Sequence, residues 1–483
     1  MITSKHFSIK YTFTMQMFID GTGRDSVTGD TIQVSNPATG AVIDTVPAGT
    51  ADDVAAAVLA AENARKKWER TSTADKSRIL IAAGARIRSE ADVLAPLLTT
   101  EQGKPLREAK DEILGTAHIF EYYASMTGSI RGDAAYLPKY GYMNVVRKPL
   151  GVCGAIVPWN MPAIIFGWKA GAALACGNAV VAKPSETAPL TVLRLAELLT
   201  DAGVPGGVMN VVTGSGPVAG DAVVRSAGIR HVSFTGSVAT GRAVALAAAP
   251  TLKKLTLELG GNDAFIVAAD ADIDAAVAGA VRNRFYNCGQ VCTSAKRIVA
   301  DEKIADEFIR KAKAAIDTLV VGNGLGKVNM GPLNNPGQRN AVASAVDRIV
   351  QDGCGTVVCG GKKQEGAGNF YAPTLLSGVA PDAVAEEIFG PVMPVIPFAT
   401  LDEAIGIANA TPYGLGASIW TKDMKTAYTA AEQVRSGVVW VNKHLILPPE
   451  IPFGGTGNSG YGRENGYEFL YEYTEPKSIL IGL

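Results

Sequence analysis

The chain has 483 residues, which is the length of about three average domains and excludes a single small module. Its 45 basic and 46 acidic residues leave a formal net charge of -1, so no global positive field favours nucleic acid or anionic lipid. Hydrophobic residues make up 47% of the chain and charged residues 19%, which predicts a globular protein with a large core that acts on a small molecule.

The cysteines, the histidines and the N-terminus bear on compartment and chemistry. Six cysteines without a CxxC pair are too few for a disulfide scaffold, so we expect reduced thiols in a cytoplasmic protein. Four scattered histidines argue against a histidine-rich metal site and a histidine-based triad, and no metal is expected.

Lys5 and Lys10 interrupt the N-terminal apolar residues, and no run of about 18 apolar residues follows, so neither a signal peptide nor a transmembrane helix is predicted. Residues 1–14 are predicted to be a loose extension before a first strand at residues 17–20.

Residues 51–128 are predicted to form a helical layer of three long alanine-rich segments with apolar residues at helical spacing. From Gly151 to Gly261, short apolar runs alternate with helix-length segments. Strands that alternate with helices of about 10 to 15 residues imply right-handed crossovers and a parallel, doubly wound sheet. The predicted strands are residues 152–157, 179–182, 208–212, 231–234 and 255–257.

Beyond Gly261 the alternation continues with longer helices and predicts a second α/β domain. Two β-prone stretches, residues 136–147 and 471–481, fit neither sheet. Strands left outside a domain often pair with each other or with a neighbouring subunit, so we expect a homodimer or homotetramer. The predicted helices of this part are residues 273–286, 304–319, 340–351 and 402–408.

Cys292 lies in the segment NCGQVCT, where glycine and polar residues interrupt a helical pattern and predict a turn or loop. A thiol on a loop suits a nucleophile, although an isolated cysteine is more often a small buried hydrophobe. Cys288 in the same segment is the competing candidate.

Two further polar residues stand at the ends of predicted strands. Glu258 ends the run LTLE, at the edge where open parallel sheets bind ligands; the alternative is that it marks the solvated end of the strand. Asn160 follows strand 152–157 in a turn stiffened by Pro158 and Pro162. An amide donor there could stabilise an oxyanion, but an asparagine in such a turn is also an ordinary turn residue.

The remaining strand ends carry groups suited to a dinucleotide. The segment KPSE (183–186) follows the next strand; Glu186 could accept hydrogen bonds from ribose hydroxyls, while Ser185 also fits a helix N-cap. The loop GSGPVAG (214–220) departs from the usual dinucleotide fingerprint, and FTGS (234–237) opens a helix whose N–H groups suit a phosphate. Glycine accounts for 53 residues, about 11% against an average of about 7%, and part of that excess lies in these loops, where we expect backbone to approach a ligand.

Seven motifs in one order give the chain a close resemblance to the aldehyde dehydrogenase superfamily, of the non-phosphorylating NAD(P)-dependent kind. The resemblance covers nearly everything from Met17 to the C-terminus. The motifs are PWNMP at 158–162, KPSE at 183–186, FTGS at 234–237, ELGG at 258–261, GQVCT at 289–293, EEIFGP at 386–391 and PFGG…SGYGRE at 452–464.

The resemblance implies oxidation of an aldehyde to the carboxylic acid, with Cys292 as nucleophile, Glu258 as general base and Asn160 as oxyanion donor. Lys169 and Glu464 match positions thought to assist a proton relay. NAD is the expected cofactor, with NADP as the alternative. The implied cofactor contacts are Pro158, Trp159, Lys183, Ser185, Glu186, Gly216, Phe234, Gly236, Ser237, Leu259, Glu387 and Phe389.

The resemblance also implies three parts: a Rossmann-like parallel-sheet cofactor domain, a second α/β catalytic domain and a small β bridging element. We assign residues 1–130 and 150–259 to the cofactor domain and residues 260–462 to the catalytic domain. Residues 131–149 and 463–483 are assigned to the bridging and oligomerisation element. The expected partner is a small-molecule aldehyde, with no nucleic acid and no membrane.

Several departures from the family pattern bear on the substrate. Met161 stands where the family commonly has an aromatic residue, and its flexible thioether makes one wall of the pocket adaptable. Trp168 stands where relatives specific for succinate semialdehyde carry arginine, so a neutral apolar or aromatic aldehyde is favoured. Gly457 replaces a lysine that the family often places after PFGG, and no assigned step depends on it. The positions that match the substrate tunnel are Met161, Ile165, Trp168, Val291, Thr293, Leu445 and Leu447.

The sequence leaves alternatives open for the cofactor, for the aldehyde and for the acceptor of the acyl group. Glu186 favours NAD because a carboxylate repels the 2'-phosphate of NADP, although some relatives with this motif take NADP. The rival enzymes are a semialdehyde or hydroxyaldehyde dehydrogenase (succinate semialdehyde, lactaldehyde), a CoA-acylating dehydrogenase and an acyl-phosphate reductase. Glu258 argues against the last two, since a thiol or phosphate acceptor needs no water-activating base there. Retention of Cys292, Glu258 and Asn160 together argues against a binding protein that has lost catalysis.

Overall fold

The computed structural model describes residues 15–482, so the prediction for residues 1–14 lies outside the described part. The predicted fold class is confirmed, since mixed α/β architecture with largely parallel sheets runs through the chain. The strands are β1 (Met17–Ile19), β2 (Thr22–Arg24), β3 (Thr31–Ser35), β4 (Val42–Pro47), β5 (Asp133–Leu137), β6 (Gly141–Pro149), β7 (Val152–Val157), β8 (Ala179–Pro184), β9 (Met209–Val211), β10 (Ile229–Thr235), β11 (Lys254–Glu258), β12 (Ala264–Val267), β13 (Arg297–Asp301), β14 (Thr356–Cys359), β15 (Thr374–Ser377), β16 (Val392–Phe398), β17 (Gly416–Trp420), β18 (Val438–Val441), β19 (Gly460–Tyr461) and β20 (Thr474–Ile481). The α-helices are α1 (Ala51–Arg70), α2 (Thr73–Ser89), α3 (Ala91–Gln102), α4 (Leu106–Met126), α5 (Pro162–Ala175), α6 (Leu190–Asp201), α7 (Asp221–Arg225), α8 (Val238–Ala248), α9 (Ile273–Phe285), α10 (Glu302–Ile316), α11 (Pro336–Gln351), α12 (Leu401–Asn409), α13 (Met424–Gln433) and α14 (Phe469–Tyr473).

The first large sheet has the strand order β19-β11-β10-β7-β8-β9-β1-β2. Strands β7 to β11 are parallel, and each of the predicted strands in this region is present with ends shifted by no more than two residues. The order of the sequence reverses between β7 and β10, which makes the sheet doubly wound. Such a reversal opens a crevice at the carboxyl ends of the two strands, here after Val157 and Thr235.

The helices before this sheet number four, not three, so that part of the sequence prediction is wrong. Glu90 ends α2 and begins α3, with a backbone (φ -94°, ψ 5°) outside the helical range. Apolar residues continue at helical spacing across this break, so periodicity alone does not reveal it. The first helix begins with a capping box, in which Thr50 and Asp53 satisfy each other's backbone N–H groups.

The second large sheet has the order β14-β15-β16-β13-β12-β17-β18 and is parallel except for β14. Its sequence order reverses between β12 and β17, so a second crevice opens at the ends of those strands. The four helices predicted beyond Gly261 are present as α9, α10, α11 and α12, with ends shifted by a few residues.

The two stretches that fit neither large sheet form a three-stranded antiparallel sheet, β20-β6-β5. The stretch predicted as residues 136–147 is a hairpin turning at residues 138–140, because β5 pairs with β6. The start of the C-terminal stretch is also corrected, since Tyr471 to Tyr473 belong to helix α14. Within residues 15–482, no helix combines the length and the apolar character needed to cross a membrane.

Candidate active site

Cys292 lies on a tight turn that follows helix α9. Asn287, Cys288 and Gly289 all have left-handed backbone (φ 49°, 56° and 71°), which reverses the chain direction within three residues. A Cβ at Gly289 would lie 2.2 Å from the carbonyl oxygen of Gly390, so only glycine fits there. Of the two candidate thiols, Cys288 is buried and Cys292 lines a cavity. The geometry therefore favours Cys292 as the reactive thiol.

Burial and charge act in opposite directions on the Cys292 thiol. Burial raises the pKa of Cys292 to about 12, and the nearby Lys296 ammonium opposes this increase, while the carboxyl groups of Asp263, Glu258 and Glu387 add to it. His444 donates an Nε2–H hydrogen bond to the carbonyl oxygen of Thr293 at 2.8 Å, and burial lowers its pKa to about 4, so it is neutral. The other ring nitrogen, Nδ1, lies 3.0 Å from Ser418 Oγ, so both ring nitrogens of His444 have partners other than the thiol.

Asn160 is held against the cysteine turn by hydrogen bonds at both of its amide groups. Its side-chain Nδ2 donates to the carbonyl oxygen of Gln290 at 3.0 Å. Its main-chain carbonyl accepts hydrogen bonds from Lys104 Nζ and from Asn287 Nδ2, both at 2.8 Å. A side-chain amide carries two hydrogens, so one N–H remains after the bond to Gln290.

A buried ion pair that sequence reasoning missed supports this arrangement. Lys104 and Glu112 pair directly, and both side chains are fully buried. Glu112 also accepts hydrogen bonds from the N–H groups of Ala163 and Ile164 at the start of helix α5. The pair thus joins α4, the Asn160 turn and the N-terminus of α5, because a carboxylate there satisfies otherwise unpaired helix N–H groups.

We expect Lys104→Met to lower the free energy of unfolding by about 3 kcal/mol or more, because it leaves the Glu112 carboxylate buried without its cation. Urea denaturation followed by tryptophan fluorescence measures the change. Lys110→Met is the matched control, since Lys110 pairs with Asp92 at the surface and its loss should cost less than about 1 kcal/mol. Equal effects of the two substitutions would contradict the structural role given to the buried pair.

Glu258 ends strand β11, and its carboxylate has no hydrogen-bond partner among residues 15–482. The side chain is buried and neither oxygen is paired. Burial, reinforced by the neighbouring Glu464, raises the pKa of Glu258 well above its usual value. A Cβ at Gly454 (φ 158°) would lie 2.7 Å from Glu258 Oε1, so this glycine leaves the room that the carboxylate occupies. A buried, unpaired carboxylate with a raised pKa is a stronger base than an ordinary surface carboxylate.

Lys169 and Glu464 form a second buried ion pair, close to Glu258. Lys169 Nζ donates to Glu464 Oε1 at 2.5 Å and to Ser233 Oγ at 2.7 Å, and Ser233 donates to the same Glu464 oxygen at 2.8 Å. The other oxygen of Glu464 has no partner. The structure thus brings the two residues of the expected relay together and adds Ser233, which sequence reasoning missed.

An apolar cavity of about 560 Å³ opens at Cys292. All seven positions predicted for the substrate tunnel line it. The wall also includes Ile164, Tyr286, Trp420, His444 and Phe453, which sequence reasoning did not select. Four charged residues line it as well: Asp111, Arg282 and Lys443 are exposed to solvent, and the buried Glu112 is paired with Lys104. The interior therefore suits an apolar group next to the reacting carbon.

A groove of about 490 Å³ lies at the crevice of the first sheet, between β10, α7 and α8. Gly216 and Phe234 line it, and Ser237 caps α8 through the N–H of Thr240, so its hydroxyl is already used within the helix start. Beyond this groove, Lys183 Nζ lies 3.3 Å from a Glu186 carboxylate that remains 42% exposed and can accept from a ligand.

The other predicted cofactor residues fall into two groups. Trp159 packs edge-on against Phe389 at 5.6 Å between ring centroids, and Glu387 lies beside them next to Gly260 and Gly261. The rest shape the backbone around the crevice: Pro158 begins the Asn160 turn, Ser185 donates its N–H to Val157, Gly236 donates its N–H to Glu258, and Leu259 packs on Gly241.

A doubly wound parallel sheet with a groove at its strand ends suits a dinucleotide-dependent oxidoreductase. The chain belongs to the aldehyde dehydrogenase family, whose family model matches residues 24–479. The predicted family and enzyme class are thereby confirmed, as is NAD(P) as the cofactor class.

Solved structures agree in fold over nearly the whole chain. An NAD-dependent aldehyde dehydrogenase from Sinorhizobium meliloti is 38% identical with a TM-score of 0.95, covering 97% of this chain and 94% of that one. An NADP dependent enzyme from E. coli is 39% identical with a TM-score of 0.95 and 98% coverage of both chains. An aldehyde dehydrogenase from Bacillus cereus, solved with NAD+, is 37% identical with a TM-score of 0.95 and coverage of 97% and 96%.

Proposed function

We propose that the protein oxidises a neutral apolar or aromatic aldehyde to its carboxylic acid through a thioester on Cys292. The proposal rests on the position of this thiol at an apolar cavity. The charge of the unpaired Glu258 carboxylate acts on the same thiol. In the first step the thiolate attacks the aldehyde carbon and forms a thiohemiacetal. The oxyanion that develops is stabilised by the remaining N–H of Asn160 and by the main-chain N–H of Cys292.

The residues of the crevice fit a dinucleotide, because its groove meets the start of helix α8 and Glu186 presents an exposed carboxylate. NAD(P) bound in this crevice would supply the acceptor for the hydride that the thiohemiacetal carbon gives up. Trp159, Glu387 and Phe389 are proposed to hold the nicotinamide end near Cys292, since their segments meet there. Collapse of the thiohemiacetal leaves a thioester on Cys292.

Glu258 then removes a proton from water, which attacks the thioester carbonyl and releases the acid and the thiol. We propose that this proton passes to the cluster of Lys169, Glu464 and Ser233. The charge of Glu464 acts on Glu258, and its Oε2 atom has no hydrogen-bond partner among the described residues. A water acceptor explains why a buried base is present. An acyl transfer to CoA or phosphate would not use it.

An aldehyde panel tests the proposal. NADH and NADPH formation is followed with aliphatic, aromatic and carboxylate-bearing aldehydes under the same conditions. We expect kcat/KM for the apolar aldehydes to exceed that for succinate semialdehyde by at least about tenfold, since the cavity interior around Trp168 offers no buried cation. A preference for the acidic aldehyde, or for CoA or phosphate as acceptor, would refute the proposed substrate class or the water step.

NAD is proposed as the preferred cofactor because the Glu186 carboxylate repels the 2'-phosphate of NADP. We expect Glu186→Gln to lower the KM for NADP about tenfold, as removal of one like-charge contact is worth about 1.4 kcal/mol. The KM for NAD should change less. Steady-state kinetics with both cofactors measures this, with the exposed Glu302→Gln as control. An unchanged NADP/NAD ratio would remove Glu186 from the selectivity.

The division into a cofactor domain, a catalytic domain and a bridging element is retained as a proposal, as is the homo-oligomer. The three-stranded sheet exposes an apolar surface that includes Tyr136, Tyr142, Ile479, Leu480 and Ile481. Exposed apolar residues on strands favour association with a second copy.

A further inference from the structure

Lys296 has no role among the predicted site residues, yet its side chain is almost fully buried beneath the cysteine turn. Its Nζ donates to the carbonyl oxygens of Val291, at 3.0 Å, and of Cys292. It also lies 3.0 Å from Glu387 Oε1 in an ion pair whose lysine is buried and whose carboxylate is 17% exposed. An ammonium group has three hydrogens, and three oxygens surround it here.

Glu387 connects this ammonium to the segment proposed to bind the nicotinamide end of the cofactor. Its Oε1 also accepts the N–H of Gly261 at 3.4 Å, and a Cβ at Gly260 would lie 2.3 Å from its other oxygen. Phe389, two residues later, has its ring 5.9 Å from Lys296 Nζ and contacts Trp159. The Lys296 ammonium thus connects the Cys292 turn to the segment that contains Glu387 and Phe389.

We propose that Lys296 is a positioning residue that ties Glu387 to the backbone of Cys292 and sets the reactivity of the thiol through the balance of the two charges. The proposal rests on the proposed function, because it matters for catalysis only if Cys292 is the nucleophile. Charges in a buried site interact much more strongly than at the surface, so a single ion pair has a large effect there.

The charges that face Cys292 determine the sign of the effect. Lys296 from the same turn favours the thiolate, whereas Glu258 at the end of β11, Asp263 before β12 and Glu387 before β16 disfavour it. His444, after β18, contacts the turn as a neutral ring. Removing the Lys296 charge therefore makes the thiol less reactive, and removing the Glu387 charge makes it more reactive. Two substitutions in one ion pair should act in opposite directions.

Alkylation of the full-length protein by iodoacetamide between pH 7 and 10 measures this reactivity without any turnover. The rate of modification is read from the Cys292 peptide by mass spectrometry, and Cys354, which is partly exposed and distant in sequence, is the internal control. Below the thiol pKa the rate is proportional to the thiolate fraction, so a rate ratio at fixed pH reports the change in pKa.

We expect Lys296→Met to slow alkylation of Cys292 about tenfold, as loss of a close opposite charge shifts a pKa by about one unit. Lys296→Arg keeps the charge and should stay within about threefold of the wild type. Glu387→Gln should accelerate alkylation by about threefold or more. Lys313→Met, at an exposed ion pair, should change nothing, and neither should any variant change the rate at Cys354.

The proposal is overturned if Lys296→Met and Glu387→Gln change the Cys292 rate in the same direction, or if neither changes it. A purely structural ion pair would give one of these results, since losing either partner would loosen the turn equally. If Lys296→Met does not fold, as judged by circular dichroism, Glu387→Gln decides: faster alkylation supports the proposal and an unchanged or slower rate overturns it. A negative result in the alkylation experiment would not contradict the role of Cys292 as nucleophile, because that role is tested separately by the turnover of a Cys292 variant.

Discussion

Cys292→Ala should abolish NADH formation with every aldehyde, lowering kcat/KM by at least about 10⁴-fold. Alanine cannot form the covalent intermediate, and removing the nucleophile of a covalent enzyme leaves only the contribution of binding and oxyanion stabilisation. The side chain is partly buried and packs against the first hydrophobic core, so a change to alanine is tolerated by the fold. Turnover is measured at saturating aldehyde and cofactor, with folding checked by circular dichroism.

Cys288→Ala is the matched control for the nucleophile, because it removes the other thiol of the same turn. Cys288 is 1% exposed, and burial raises its pKa. We expect this variant to retain turnover within about threefold. Loss of activity in Cys288→Ala with survival in Cys292→Ala would reverse the assignment, and survival in both would remove the thioester from the mechanism.

Glu258→Gln should separate hydride transfer from thioester hydrolysis. Glutamine has nearly the same shape, so aldehyde attack and the first NADH should form normally, while the missing base slows hydrolysis about 10²- to 10³-fold. Stopped-flow measurement should therefore show a burst of NADH equal to the concentration of active sites, followed by slow steady-state turnover. The acyl-enzyme should accumulate and be detectable as added mass on the Cys292 peptide.

The pH dependence of this step has a definite sign. Burial raises the pKa of Glu258, so the carboxyl group is protonated at low pH and becomes a base only as the pH increases. Hydrolysis in the wild type should accelerate with increasing pH through that pKa, and the increase should be absent in Glu258→Gln. Glu302→Gln is the control, since Glu302 is exposed at the start of α10. A wild-type burst and steady state in Glu258→Gln would show that another group activates water.

The positions of the strand-end residues follow directly from the sequence. The run of alternating strands and helices predicts a parallel sheet, and the carboxyl ends of parallel strands meet at one edge. Lys183 and Glu258 lie at the ends of such strands, and Asn160 and Ser237 come just after them, so their common location needs no knowledge of side-chain packing. The motifs then assigned the family, which the family match and the solved structures confirm.

Sequence reasoning failed where a polar residue is buried by segments that are remote in the chain. Lys104 pairs with the nearby Glu112 but donates to the Asn160 carbonyl 56 positions away, and Lys296 pairs with Glu387, 91 positions away (387 - 296). Most lysines lie at the protein surface, and the pattern of apolar residues in the sequence does not reveal which lysines are buried. The fourth helix was missed for a related reason, because a single non-helical residue at Glu90 does not interrupt the apolar pattern.

The sequence by itself therefore determined the fold class, the family and the strand ends at which the proposed catalytic groups stand, because local hydrophobic periodicity and short motifs encode them. Only the tertiary structure decided which charges surround the thiol and the base. Burial of Cys292, Glu258 and Lys296 arises when segments far apart in the chain close over them, and that loss of water is what makes their charges interact strongly.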